Sequence, residues 1–234
     1  SVAGGRCAVR SDRHGNLVVR FRLPVVPKSV EFSVAAVVER TGPAGDARLP
    51  AAALADPRHL RPTRLTTPDD ALRAIAAELR AATADDAEFA VAGCARVAAA
   101  VRYEFEATSV ATTAAEAHRI GRGVCQDSAH VLLAVCRAAG VPARYVSGHL
   151  LGQAGGSHAW VEVLVRDGAG ARAVAVDPSN GCVPGPRHLP VAVGRDYVDV
   201  APVSGRYAGT AVGHLTATKH AGVTAVAVPL PCRA

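Results

Sequence analysis

The sequence predicts an α+β fold. Three observations carry this: helical periodicities are concentrated between residues 68 and 139, strand-like alternation follows from 143 to 177, and half of the chain is apolar. A chain of 234 residues with that apolar share can bury a sizeable core between a helical layer and a sheet.

Residues 16–24 and 29–40 alternate with a period of two, broken by Pro24 and Pro27, and are expected as strands. From 41 to 68 the composition shifts to Gly, Pro, Ala, Arg and Asp without a sustained period, the mark of a linker or surface excursion. The domain boundary is therefore set near residue 60. It separates a partial β-rich region with its linker, residues 1–60, from a core over residues 61–234. Thr66 or Thr67, ahead of Pro68-Asp69-Asp70, supplies a cap, a first-turn proline and acids at the positive end of a helix running through ALRAIAAELRAA. A second helix starts near Asp85-Asp86 and carries Phe89, Cys94, Val97 and Val101 at helical spacing. A short third one, TTAAEAHRI, is capped by Thr112 or Thr113. GRGVC then leads into QDSAHVLLAVCRAAG, whose buried stripe is Ala129, Leu132, Leu133 and Cys136. Gly140 and Pro142 mark its end. Strands follow at ARYVSGHL, SHAWVEVLV and ARAVAVDP, and further ones are expected near Tyr197–Val200 and in VTAVAVPL.

Net charge is +6, but the Arg residues are scattered without interleaved aromatics. That pattern describes a solvated surface, and no nucleic-acid partner is expected. Six cysteines with no CxxC pair, in a chain of this length, do not form a disulfide framework. No apolar run reaches membrane-spanning length and no segment pairs a basic start with an apolar stretch. The expectation is a reduced cytoplasmic protein with no membrane partner; the oligomeric state is left open.

The chemistry centres on Cys125. Placed in the first turn of a helix, its thiol meets unpaired N–H groups and the positive end of the dipole, both of which favour thiolate. Gly121 and Gly123 leave it open to approach. A cysteine on a helix is by itself an ordinary core residue; the partners carry the reading. In SHAWVEVLV, His158, Trp160, Glu162 and Leu164 share one face, while the apolar face of Ala159, Val161, Val163 and Val165 points to the core. His158 is thereby turned toward a cleft or solvent, where an imidazole can take a thiol proton and return it to a leaving group. If ARAVAVD pairs back through RDGAG, Asp177 comes level with His158 and can fix its tautomer. Trp160 reads as a packing residue or cleft wall. The Cys125 backbone N–H is the first oxyanion donor and Gln126 a candidate second. Asp127 reads as a helix-end charge or a partner for Arg144. A zinc site from Cys125, His130, His149 and His158 lacks any familiar ligand spacing. Gly121-Arg122-Gly123 lacks the Lys-Ser/Thr of a phosphate loop.

GVCQD, VPARYVSGHL, SHAWVEV, VDPSNG and VAVGRDYVDVAPVSG, in this order and with these gaps, resemble the bacterial transglutaminase-like proteins over roughly residues 15–230. The resemblance implies a papain-like core preceded by a small β-rich domain, with Cys125 as nucleophile, His158 as base and Asp177 as orienting acid. It implies cysteine-dependent acyl transfer or hydrolysis at a carboxamide or peptide bond of a peptide, protein or small amide. Water or an amine resolves the thioester, and no cofactor or metal is required. It also suggests that Arg195 and Asp196 form a buried structural pair. Three departures stand out: a shortened N-terminal β region, His149 where the family carries Tyr, and Ser128 where it often carries Phe. None removes a triad residue. The alternative is a non-catalytic binding or scaffold protein on the same fold, which would keep its partner affinity in Cys125→Ala.

Overall fold

The computed structural model describes residues 5–26, 28–38, 47–152, 156–210, 212–214, 216–218 and 222. It opens with a hairpin of β1 (Arg6–Ser11) and β2 (Leu17–Arg22). Their turn is tied by Asp12, whose carboxylate accepts the backbone N–H groups of His14 and Asn16 at 2.7 and 2.9 Å. The second strand expected over 29–40 does not form among its described residues, which apart from the half-buried Val30 lie exposed with no ladder partner.

The described part of the segment read as a linker, residues 47–68, is structured. β3 (Arg48–Pro50) leads through a 3-10 turn at Ala51–Ala55 into α1 (Pro57–Leu60), capped by Asp56. β3 pairs with a core strand, so the central sheet takes its edge from within residues 41–68. Short elements such as these leave no periodicity to detect.

The helices α2 (Asp70–Ala82), α3 (Asp86–Ala100), α4 (Ala114–Ile120) and α5 (Cys125–Ala138) follow, with the two-residue parallel pair β4 (Arg102–Tyr103) and β5 (Arg122–Gly123) between them. The cap of α2 is Asp69, which accepts the Leu72 N–H, rather than Thr66 or Thr67. α3 and α4 are capped by Asp85 and Thr113, as the acid and hydroxyl signals require. α5 is buried continuously from Gln126 to Arg137, a far wider face than a four-residue stripe. It lies against the sheet on one side and α2, α3 and α4 on the others. Arg137 tolerates this by donating to Thr66 Oγ1 and the Arg195 carbonyl, each at 2.6 Å.

β6 (Ala143–Leu150), β7 (His158–Asp167), β8 (Gly170–Val176) and β9 (His188–Gly194) complete an antiparallel sheet of order β3-β8-β7-β6-β9. α6 (Tyr197–Val200) is a single helical turn capped by Asp196, where a strand was expected. The remaining expected strand, residues 223–230, lies outside the described residues. Among the described residues no helix is long and apolar enough to cross a membrane.

Candidate active site

Cys125 is the first residue of α5 and is half-buried. The turn before it is closed by Asp127, whose Oδ2 accepts the Val124 N–H at 2.8 Å and the Thr108 hydroxyl at 2.6 Å. Asp127 thus caps the helix that Cys125 begins and does not meet Arg144, which pairs with Glu162 at 2.6 Å. Burial pushes the Asp127 carboxyl up despite these donors, and its Oδ1 is buried without a partner among the described residues. The two glycines have local reasons other than access. Gly121 ends α4 in the left-handed region, with φ at 68°, and a Cβ on Gly123 would stand 2.6 Å from the Asp127 carboxylate.

His158 begins β7. Its Nε2 lies 2.7 Å from Asp177 Oδ2, and Cys125 is near enough to favour the charged ring. The hairpin register pairs Val161 with Val176, so Asp177 stands diagonal to His158 rather than level with it. Residues on the same face of adjacent strands at that offset remain within side-chain reach. β7 is buried on both faces from His158 to Val165 because the 51–60 segment covers the side left to solvent in the sequence reading.

Asp177 is fully buried and fully engaged. Its Oδ2 accepts from His158, from Asn180 Nδ2 at 2.7 Å and from His188 Nε2 at 3.0 Å; its Oδ1 accepts the Ser179 and Asn180 N–H groups at 3.0 and 3.2 Å. A backbone bridge between Asp177 and Cys182 closes this loop, with Gly181 at φ 61°. Burial opposes the charged carboxylate, but the His158 and His188 donors outweigh it and hold the group well below the usual range. At His158 burial opposes the imidazolium, and the Asp177 and Cys125 hydrogen bonds overcome it, raising the pKa to about 9. An imidazole is thus hydrogen-bonded to a buried carboxylate with a thiol beside it, an arrangement in which the imidazole can take up a thiol proton while the carboxylate balances the charge.

The other candidates fall around this arrangement. Trp160 packs beside His158, ring centroids 6.0 Å apart, and forms a wall behind it. Gln126 is buried and donates to the Val110 carbonyl at 3.3 Å. His130 is fully buried and accepts the Tyr197 N–H at 3.2 Å. Arg195 pairs with Asp199 at 2.7 Å, not with Asp196, whose carboxylate is spent on the α6 cap. His188 is the site residue that the sequence reading passed over. Nothing in PRHLP distinguishes it until β9 is known to pair with β6. His158, Asp177 and His188 bring potential metal-ligand atoms within 4.8 Å of one another, but these atoms already serve the hydrogen bonds described.

Residues 73–178 match the family model of the transglutaminase-like superfamily. An uncharacterized protein of Mycobacterium leprae is 42% identical over 97 residues, covering 38% of this chain and 33% of the relative. One of Mycobacterium tuberculosis is 36% identical over 94 residues, covering 36% and 30%. The chain thus spans about a third of the length of the curated relatives it matches. Among solved structures, a candidate cysteine protease of Cytophaga hutchinsonii superposes with a TM-score of 0.54 at 28% identity, covering 61% of this chain and 48% of that one.

Proposed function

Proceeding from the transglutaminase-like core that this chain carries over residues 73–178, we propose that it breaks a carboxamide or peptide bond by acyl transfer to Cys125. The observation that carries the reading is the line Cys125–His158–Asp177, with the thiol at a helix start and the carboxylate 2.7 Å from the imidazole. The Cys125 thiolate, its proton held on His158, attacks the carbonyl carbon. The tetrahedral intermediate collapses as His158 returns that proton to the departing amine or ammonia, leaving a thioester. Water or a second amine, deprotonated by His158, then attacks the thioester and releases the cysteine. The Cys125 N–H serves as an oxyanion donor and Trp160 as the cleft wall. Asp177 keeps the imidazole in the tautomer that faces the thiol. The substrate is a peptide, protein or small amide. Similarity to the candidate cysteine protease supports the hydrolytic branch. A cytoplasmic setting belongs to the same reading.

The test is alkylation of Cys125 by iodoacetamide across pH, followed by peptide mass, in the wild type and in His158→Ala. Fast alkylation well below the free-thiol value of about 8.5, slowed in the variant, is the expected result. Slow alkylation that rises only above that value in both would leave a non-catalytic binding protein as the better reading.

A further inference from the structure

His188 lies at the start of β9, opposite Leu150 of β6, and is buried. The backbone N–H of Gly185 donates to its Nδ1 at 3.1 Å, while the His188 N–H returns to the Gly185 carbonyl at 3.0 Å. A backbone N–H is only a donor, so Nδ1 must be the acceptor and the ring proton of the neutral imidazole sits on Nε2. That Nε2–H points at Asp177 Oδ2, the oxygen that also receives His158. The ring is wedged by Trp160, which meets it edge-on at 5.4 Å, and by His158 at 5.8 Å. With Nδ1 occupied by Gly185 and Nε2 protonated toward Asp177, the ring offers no lone pair to a cation, and a metal is the poorer use of this cluster.

Resting on the triad reading above, we infer that His188 is a positioning residue: its Nε2–H pins Asp177 Oδ2 in the orientation that serves His158. With Oδ1 held by the Ser179 and Asn180 N–H groups, an Oδ2 that receives Asn180 alone besides His158 has all its other donors within the 177–180 loop and is drawn toward it. The donor from β9, which the sheet order separates from β8 by β7 and β6, holds Oδ2 from outside that loop. The effect reaches Cys125 through Asp177 and His158, without contact between His188 and the reacting atoms being required.

The experiment uses the full chain and iodoacetamide, with His188→Phe and His188→Leu as variants that fill the space without a donor. His188→Gln places an amide N–H near the lost Nε2–H. In the apolar variants the midpoint pH of Cys125 alkylation is expected to rise by roughly half a unit, about a threefold loss of rate below the midpoint. In His188→Gln it returns close to the wild-type value. A purely structural role would lower the melting temperature in all three and leave the midpoint in place, which overturns the inference. A midpoint that falls in the apolar variants also overturns it, because His188 would then be draining charge from Asp177 rather than aiming it. Nitrogen-15 shifts of the wild-type imidazole give an arm that needs no variant to fold: Nε2-protonated His188 is expected, and an Nδ1-protonated ring overturns the assignment. A wild type that alkylates only as a free thiol sinks the triad and this inference together. A reactive wild type with unchanged apolar variants sinks this one alone.

Discussion

Burial works against a charged imidazole, and at His158 it is outweighed by hydrogen bonds to Asp177 and Cys125 that carry the pKa from the ordinary 6.5 to about 9. A pKa raised in the folded state contributes stability fully below 6.5 and loses it as pH climbs through about 9. Asp177 runs the other way: its contribution is present above the ordinary 3.8 and fades as pH falls toward its depressed value. Asp177→Asn removes the charge that sustains the imidazolium. His158 should then titrate nearer 6.5 in a proton NMR titration, and turnover of an amide substrate should fall by about 10²-fold or more. An unmoved His158 titration would mean that Cys125 alone sustains the charge. Local signals mark Cys125, His158 and Asp177 as candidates in the sequence, namely a helix start, a period of two and a strand end before proline, and the structure places Cys125 at the start of α5 and His158 against Asp177. Of the two readings of Asp127, the helix-end charge holds and the Arg144 partner does not; the close approach to Gly123 that seats its carboxylate had no sequence signal, because an absent side chain does not announce what fills its place.

At the scale of elements, the well-patterned segments were legible and the short ones were not. β6 runs over the eight residues ARYVSGHL, and α3 and α4 take the caps their acids and hydroxyls announce. The stripe of α5 was drawn too narrow because small Ala and Val side chains blur the contrast between faces, and only tertiary packing reveals a helix covered all round. Gly148 shows the same limit inside a strand that was otherwise read well. It sits where β6 changes register against β9, and a Cβ there would collide with the Leu189 carbonyl and come within 2.5 Å of the Trp160 ring. Backbone and a large ring cannot yield as a flexible side chain would. Gly148→Ala should therefore destabilise the fold by about 1–3 kcal/mol, read from denaturant unfolding. Because Trp160 backs His158, Cys125 alkylation near neutral pH should slow as well. Full stability in this variant would show that the β6–β9 bulge can open without cost.

At the scale of the whole molecule, parts of the residues 1–60 read as a β-rich region and linker pack on the central sheet. Residues 48–60 cover one face and one edge of the sheet, so the segment that looked like a linker completes the core. The β1–β2 hairpin reaches the opposite edge through Asn16, whose side-chain amide donates to the Val193 carbonyl and whose Oδ1 accepts the Val193 N–H, both at 2.8 Å. One side chain thereby mimics a neighbouring strand and satisfies part of the exposed edge of β9. Arg13 and His14 add contacts to Asp199 at 2.8 and 3.1 Å. Periodicity reports which residues face inward within a segment, and it is silent on which distant edge a turn residue will meet. Asn16→Ala leaves both Val193 groups without their partner at a cost of about 1–3 kcal/mol, which falls on the docked hairpin rather than on the core. Trypsin should then cut at Arg10 or Arg20 several-fold faster, while the pH profile of Cys125 alkylation stays where it is in the wild type. If both change together, the hairpin and the core form a single cooperative unit, and Asn16 supports the site as well as the edge.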